Sequence, residues 1–226
     1  MARVLVIDDD SSLLRALRVG LRAAGHEVAT ATRGQEGLEQ TALTAPDVVI
    51  VDLGLPDLDG LEVCRRVREW SDVALIVLSA TGAEESKIAA LNGGADDYVT
   101  KPFSMGELEA RIRAVLRGRS GDVPEIPAVL EAGSLTIDAV HHEVRRGEHV
   151  VDLTAKEFGV LAYLARFAGR TCTYQMILSS VWGPGYGDES AYVHAYVHRL
   201  RTKLLDDGLL IETVPGVGYR LRDVNG

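Results

Sequence analysis

Three apolar runs in the first half of the chain each break off at a polar side chain. Val4-Leu5-Val6-Ile7 meets Asp8-Asp9-Asp10, Val48-Val49-Ile50-Val51 meets Asp52, and Val73-Ala74-Leu75-Ile76-Val77-Leu78 meets Ser79. Runs without polar alternation suit strands covered on both faces, as in a parallel sheet. Weaker strands are expected at 27–31 and 98–100. Between the strands the period lengthens to three and four. Leu13, Leu14, Leu17, Val19 and Leu21 follow a start signal at Ser11-Ser12 and end at Gly25. Residues 60–70 and 84–92 read similarly, as does 104–117, where Leu108, Ile112, Val115 and Leu116 form one stripe. Five strand–helix units in series predict an α/β domain over residues 1–118, a doubly wound five-stranded parallel sheet with right-handed crossovers.

The texture then changes. Residues 119–127 carry glycine, serine, proline and charge but little that packs, which reads as a linker. Residues 128–226 predict an α+β domain. Short antiparallel strands are expected over 129–151, with a turn at Arg146-Gly147-Glu148. Helices are expected at 154–167, 173–182 and 189–205. Ile211-Glu212-Thr213-Val214, the Pro215-Gly216-Val217-Gly218 turn and residues 219–221 form a closing hairpin. Strands, three helices and a hairpin are the pattern of a winged helix.

At 226 residues and 46% hydrophobic content, the chain is large enough for two such cores. No apolar stretch approaches the roughly 20 residues that span a bilayer, and the run behind Met1 is too short for a signal peptide. A cytoplasmic location without membrane association is expected. Cys64 and Cys172 lie far apart with no zinc spacing, as reduced, buried thiols would. The net charge of −9 argues against nucleic acid. Dividing the chain at Gly121 does not change this: 14 Lys and Arg oppose 19 Asp and Glu before it, and 10 oppose 14 after it. A DNA-binding surface must therefore be a local basic patch on an acidic domain.

Ligands of an open parallel sheet sit beyond the carboxyl ends of its strands. Asp8, Asp9, Asp52 and Ser79 fall at such ends, and Lys101 follows the fifth strand. Carboxylates so close repel one another. Mg²⁺, which accepts one or two carboxylates plus waters and phosphate oxygens, relieves that repulsion. Asp52 then serves as nucleophile toward phosphorus, Lys101 neutralises charge on the transferred group, and Ser79 hydrogen-bonds it. Asp10 reads as a helix cap.

The surrounding segments, Asp52-Leu53-Gly54-Leu55-Pro56-Asp57 and Asp96-Asp97-Tyr98-Val99-Thr100-Lys101-Pro102-Phe103, resemble the receiver domain of two-component response regulators. The resemblance implies that Asp52 accepts phosphate from a sensor histidine kinase. It implies that Asp9 binds Mg²⁺ directly, with Asp8 assisting and Asp52 and the Gly54 carbonyl as ligands. It makes Ser79 and Tyr98 the switch hydroxyl and aromatic beside Lys101. It also implies a symmetric homodimer through Lys87, Asp96, Asp97, Glu107, Arg111 and Arg113, whose ion pairs set register more than affinity.

In the second half, Val193, Tyr196, Val197, Leu200 and Leu204 stripe the last helix, while His194, His198, Arg199, Arg201 and Lys203 fall largely elsewhere. From Ser190 to Leu204 there are three formal positive charges and no acid. Such a helix can enter a major groove, and Arg220 and Arg222 on the hairpin suit backbone or minor-groove contact. Leu153-Thr154-Ala155-Lys156-Glu157-Phe158, Val181-Trp182-Gly183, Arg199-Leu200-Arg201-Thr202-Lys203-Leu204 and Gly216-Val217-Gly218-Tyr219-Arg220 resemble the winged helix of OmpR/PhoB-type transcription factors. Val181-Trp182-Gly183-Pro184 and Lys87-Ile88-Ala89-Ala90-Leu91 resemble, within that family, regulators of potassium-transporter genes. The resemblance implies double-stranded DNA as partner, with RNA polymerase touching the loop at 182–188; the loop also reads as a connector whose Trp182 plugs the core. Pro215 stands where many relatives carry an arginine, and Tyr196 and His198 replace a histidine and an arginine. The second half offers no nucleophile–base pair, glycine-rich phosphate loop or metal cluster, so an enzymatic output is not expected. A winged helix that binds protein instead of DNA is the remaining alternative.

Overall fold

The computed structural model describes residues 1–117, 129–132, 135–183, 185–186, 189–206 and 210–222. It divides into two compact units, Met1–Leu116 and Arg117–Gly226. The expected linker at 119–127 lies outside the described residues.

The first unit alternates β1 (Arg3–Ile7), α1 (Ser11–Ala23), β2 (Glu27–Ala31), α2 (Gly34–Thr44), β3 (Val48–Asp52), α3 (Gly60–Arg68), β4 (Ala74–Ser79), α4 (Glu84–Asn92), β5 (Asp97–Thr100) and α5 (Met105–Arg117). All five strands are parallel, in the order β2-β1-β3-β4-β5. Successive side chains leave opposite faces of a strand, so each apolar run feeds two cores. Val4, Val6, Val48, Ile50, Ile76 and Leu78 pack beneath α1 and α5. Leu5, Ile7, Val49, Val51, Leu75 and Val77 pack beneath α3 and α4. This is the doubly wound sheet that the apolar runs predict.

One local reading needs correction. Val19 is 72% exposed and does not belong to the α1 core stripe; Leu14, Leu17 and Leu21 do. The start of α1 is fixed by Asp10, whose carboxylate accepts from the Ser12 and Leu13 amides at 2.8 and 3.2 Å. The helix α2 presents no large apolar stripe, because the residues it buries are Gly34, Gly37 and Thr41. A Cβ on Gly37 would collide with the Ile7 side chain, so the helix backbone lies almost against the sheet. Its first amides, on Gly34 and Gln35, donate to Asp57 at 2.8 and 3.0 Å.

The second unit begins with an antiparallel sheet, β6 (Val129–Ala132), β7 (Leu135–Asp138), β8 (Glu143–Arg146) and β9 (His149–Val151). Gly147, at φ +59°, makes the expected turn between β8 and β9. Three helices follow: α6 (Ala155–Arg166), α7 (Tyr174–Val181) and α8 (Ser190–Lys203). Between α6 and α7 lies β10 (Cys172–Thr173), which pairs with β12 (Gly218–Leu221); β12 also pairs with β11 (Ile211–Val214). The core is aromatic at its centre. Trp182 is 1% exposed, with the rings of Tyr196 and Tyr192 edge-on at 4.9 and 5.9 Å. Sheet, three helices and terminal hairpin form a winged-helix domain.

Candidate phosphoacceptor centre and reading helix

Three strand ends build the first site. The β1 strand delivers Asp8, fully buried, β3 ends at Asp52, 8% exposed, and β4 ends at Ser79, 4% exposed. Lys101 follows β5, held by its backbone amide donating to the Ser79 carbonyl at 2.7 Å and followed by a cis bond to Pro102. Its ammonium reaches across the sheet edge and donates to Asp8 Oδ2 at 2.7 Å and Asp52 Oδ1 at 2.5 Å. Burial works against that ammonium. The hydrogen bonds and charges of Asp52 and Asp8 outweigh it and hold the Lys101 pKa above its ordinary value. The other Asp52 oxygen accepts from the Gly54 amide at 2.6 Å, and the second Asp8 oxygen accepts from the Asp10 amide at 2.8 Å.

The floor of the site needs glycine. A Cβ on Gly60, at the start of α3, would overlap the Asp52 carbonyl oxygen and the Leu53 backbone. Close approach of α3 thus fixes the Asp52 main chain from below.

Asp9 is exposed, and among the described residues no three His, Cys, Asp or Glu side chains converge into a metal-holding group. Asp8 and Asp52 do converge on one cation. Two carboxylates are within what Mg²⁺ takes from a protein, so the donor set of Asp8 and Asp52, which already meet on one ammonium, fits that ion without a third side chain at the centre.

The remaining receiver candidates occupy varied positions. Ser79 Oγ accepts from the Thr81 amide at 3.2 Å. Tyr98 is 2% exposed and already turned inward, its hydroxyl donating to the Thr81 carbonyl at 2.5 Å. Lys87 is half-buried on α4, and Glu107 and Arg113 are exposed on α5, where Arg113 lies 3.7 Å from Glu109. Asp96 and Asp97 are not surface groups. Asp96 accepts from Arg68 at 2.5 Å and from the Leu75 amide at 2.9 Å. Asp97, fully buried, lies 3.4 Å from Arg111. For these two residues the expected intersubunit carboxylates are carboxylates turned into their own domain.

On α8 the basic patch is also redistributed. Ala191, Tyr192, Val193, Ala195, Tyr196, Val197 and Leu200 are buried. What faces solvent at i, i+4 spacing is His194, His198 and Thr202, a stripe able to hydrogen-bond base edges but without fixed charge. The His194 ring nitrogen Nδ1 is 2.7 Å from the Tyr219 hydroxyl. Arg199 lies over the Tyr196 ring at 4.0 Å and 3.6 Å from Glu157, its side chain only 11% exposed. Lys203 reaches the same Glu157 at 2.8 Å. Arg201 donates to the Ile211 carbonyl and to Thr213 Oγ1 at 2.9 Å. Arg220, on β12, bonds Glu212 at 2.6 Å, and Arg222 lies 3.1 Å from the same carboxylate. Glu157 and Glu212 were therefore missed as functional neighbours. Only Glu157 leaves a trace in the sequence: Thr154-x-x-Glu157 is a capping box.

These two sites define a class: a receiver joined to a DNA-binding output domain. Comparison with known proteins gives the same division. The response regulator receiver domain matches residues 4–113, and the domain described as transcriptional regulatory protein, C terminal, matches residues 147–221. The KDP operon transcriptional regulatory protein KdpE of Escherichia coli is 43% identical over 225 residues, 97% of this chain and 99% of that protein. The transcriptional regulatory protein KdpE of Mycobacterium tuberculosis is 44% identical over the same shares. Among solved structures, a RitR mutant aligns with a TM-score of 0.76 at 27% identity, covering 99% of this chain and 100% of that one. DrrB of Thermotoga maritima, an OmpR/PhoB homolog, aligns at 0.52 and 31% identity, covering 98% and 99%. The chain belongs to the OmpR/PhoB-type response regulators, two-component proteins that bind DNA and regulate transcription. Among the described residues no helix is long and apolar enough to cross a membrane.

Proposed function

We propose that Asp52 is the phosphoacceptor, that a sensor histidine kinase supplies the phosphoryl group, and that phosphorylation promotes dimerisation and sequence-specific DNA binding. The observation that carries this is the Lys101 ammonium held between Asp8 and Asp52 at the strand ends. A fixed cation beside a nucleophilic carboxylate stabilises charge on the equatorial oxygens of a transferring phosphoryl group. The P–N bond of the kinase phosphohistidine breaks as the bond from an Asp52 oxygen forms. Asp8 and Asp52, with Asp9 at the rim and the Gly54 carbonyl, are the residues that would hold Mg²⁺. When bound, that ion offsets carboxylate repulsion and neutralises phosphoryl charge. Lys101 then exchanges Asp52 for a phosphoryl oxygen, while Ser79 bonds another and Tyr98 keeps the inward position.

The face formed by α4, β5 and α5, with Lys87, Glu107, Arg111 and Arg113, is proposed as the dimer contact, Asp96 and Asp97 holding its shape from within through Arg68 and Arg111. His194 and His198 are proposed to read base edges, with Arg199, Arg201, Lys203 and Arg220 positioning the domain on the duplex. Potassium-transport genes are the proposed target, on the likeness to the two KdpE proteins. RNA polymerase is the proposed partner of the loop after Trp182, part of which lies outside the described residues. The protein acts in the cytoplasm as a regulator rather than as an enzyme with a small-molecule product.

The test is incubation of the full chain with a small phosphodonor, followed by intact mass. Wild type should gain one phosphoryl group when Mg²⁺ is present and none with EDTA, and Asp52→Asn none in either. Equal labelling of Asp52→Asn would remove Asp52 from the role.

A further inference from the structure

The winged-helix domain is acidic overall, so the cations on its reading elements decide how it meets a polyanion. Glu157 and Glu212 each hold two of them. Glu157 is 1% exposed and closes the capping box of α6, so Arg199 and Lys203 are tied to a carboxylate that cannot leave its place. Glu212 is different. It lies on β11 directly across the ladder from Arg220. Its carboxylate receives two hydrogen bonds from Arg220, at 2.6 and 2.9 Å, and one from Arg222 at 3.1 Å. The three side chains are 23%, 42% and 53% exposed. Ion pairs this open to water hold their partners weakly. Arg220 and Arg222 hold the Glu212 carboxyl below its ordinary pKa, so it stays a charged competitor.

We propose that Glu212 is a specificity-determining residue of DNA binding, an internal phosphate mimic that occupies the two wing arginines and keeps affinity for arbitrary duplex low. It rests on the reading of this domain as a DNA binder. Arg220 and Arg222 are released only when α8 is seated and a backbone phosphate is presented at the wing in the right place. On a wrong sequence the phosphate meets arginines already satisfied and a carboxylate that repels it. Sequence-independent affinity comes from cations neutralising phosphates, each releasing counterions. A carboxylate that silences two cations lowers that sequence-independent term while leaving the base contacts of α8 untouched. Specificity is the difference between these affinities, so weakening the non-specific member raises it.

The test uses the full-length chain and a labelled random-sequence duplex, with affinity measured across a salt series. Glu212→Gln keeps the shape and removes the charge. It should bind about tenfold more tightly at low salt, and the slope of log affinity against log salt should steepen by about 1 to 2, the increment for one or two added phosphate contacts. Glu212→Asp, which keeps the charge, should stay near wild type. The gain should vanish when Arg220→Gln and Arg222→Gln are added, and Glu131→Gln, the same charge change on β6, should not reproduce it. An unchanged slope in a folded Glu212→Gln protein, a gain that survives loss of both arginines, or an equal gain from Glu131→Gln would overturn the proposal. Wild type with no measurable affinity for any duplex, random or genomic, would instead sink the DNA-binding reading itself.

Discussion

Replacing Arg68 with methionine tests what Asp96 is for. The Arg68 guanidinium bonds the carbonyls of Gly94, Val73 and Ser71 at 2.8, 2.5 and 3.2 Å, as well as Asp96 at 2.5 Å. The two side chains are only 13% and 6% exposed. Removing one member of a buried pair leaves the other charge uncompensated, which costs about 3–5 kcal/mol. Asp96 keeps the Leu75 amide, which places Arg68→Met at the lower end, about 3 kcal/mol. For a domain of this size that corresponds to a fall of roughly 12 °C in Tm. Asp96→Asn keeps the shape and leaves the guanidinium its carbonyls, so about 1–2 kcal/mol is expected. In the double variant the two losses should fall short of additivity by about 1–2 kcal/mol. Calorimetry of the full chain reads this as a shift of the receiver transition. An unchanged receiver transition in both single variants, with self-association of the phosphorylated protein weakened instead, would refute the reasoning. Asp96 would then act between subunits.

Arg201→Ala should cost the winged-helix domain about 1–2 kcal/mol, because it removes the bonds that tie α8 to Ile211 and Thr213; a Tm equal to wild type, whatever the change in DNA affinity, would refute that tie. The Cys64 thiol is pushed up to about 12 by burial, and burial also raises Cys172. An aromatic disulfide reagent at pH 8 should therefore titrate no thiol in the folded protein and both after unfolding; prompt native-state reaction at Cys64 would contradict its placement in the receiver core.

The sequence carries the receiver sheet plainly, because strands buried on both faces need uninterrupted apolar runs, and 48–51 and 73–78 are such runs. The carboxylate end of the sheet was legible for a related reason: Asp8, Asp52 and Ser79 are the residues at which those runs stop. Features fixed by distant partners were not. The helix α2 buries glycines and borrows Asp57, 23 residues away, for its first amides. Asp96 looks like a surface acid until Arg68, 28 residues earlier, is seen to reach it. The charge of α8 was readable, but its disposal was not, since the Lys203 partner is 46 residues upstream and Arg201 bonds a strand that forms later in the chain. Two-residue β10 has no pattern of its own and exists because Gly218 and Tyr219 pair with it.

That short strand has a mechanical consequence. Thr173 both closes the β10 ladder and caps α7 through the Met176 amide, while Arg201 and His194 fasten α8 to the hairpin from the other side. The angle between α8 and the hairpin is thus settled during folding. On the proposed reading, in which α8 and the hairpin both touch the duplex, DNA would meet a caliper already set to one opening, so little ordering cost would be left for the moment of association, and a sequence whose groove width or bend departs from that opening would itself have to supply the deformation.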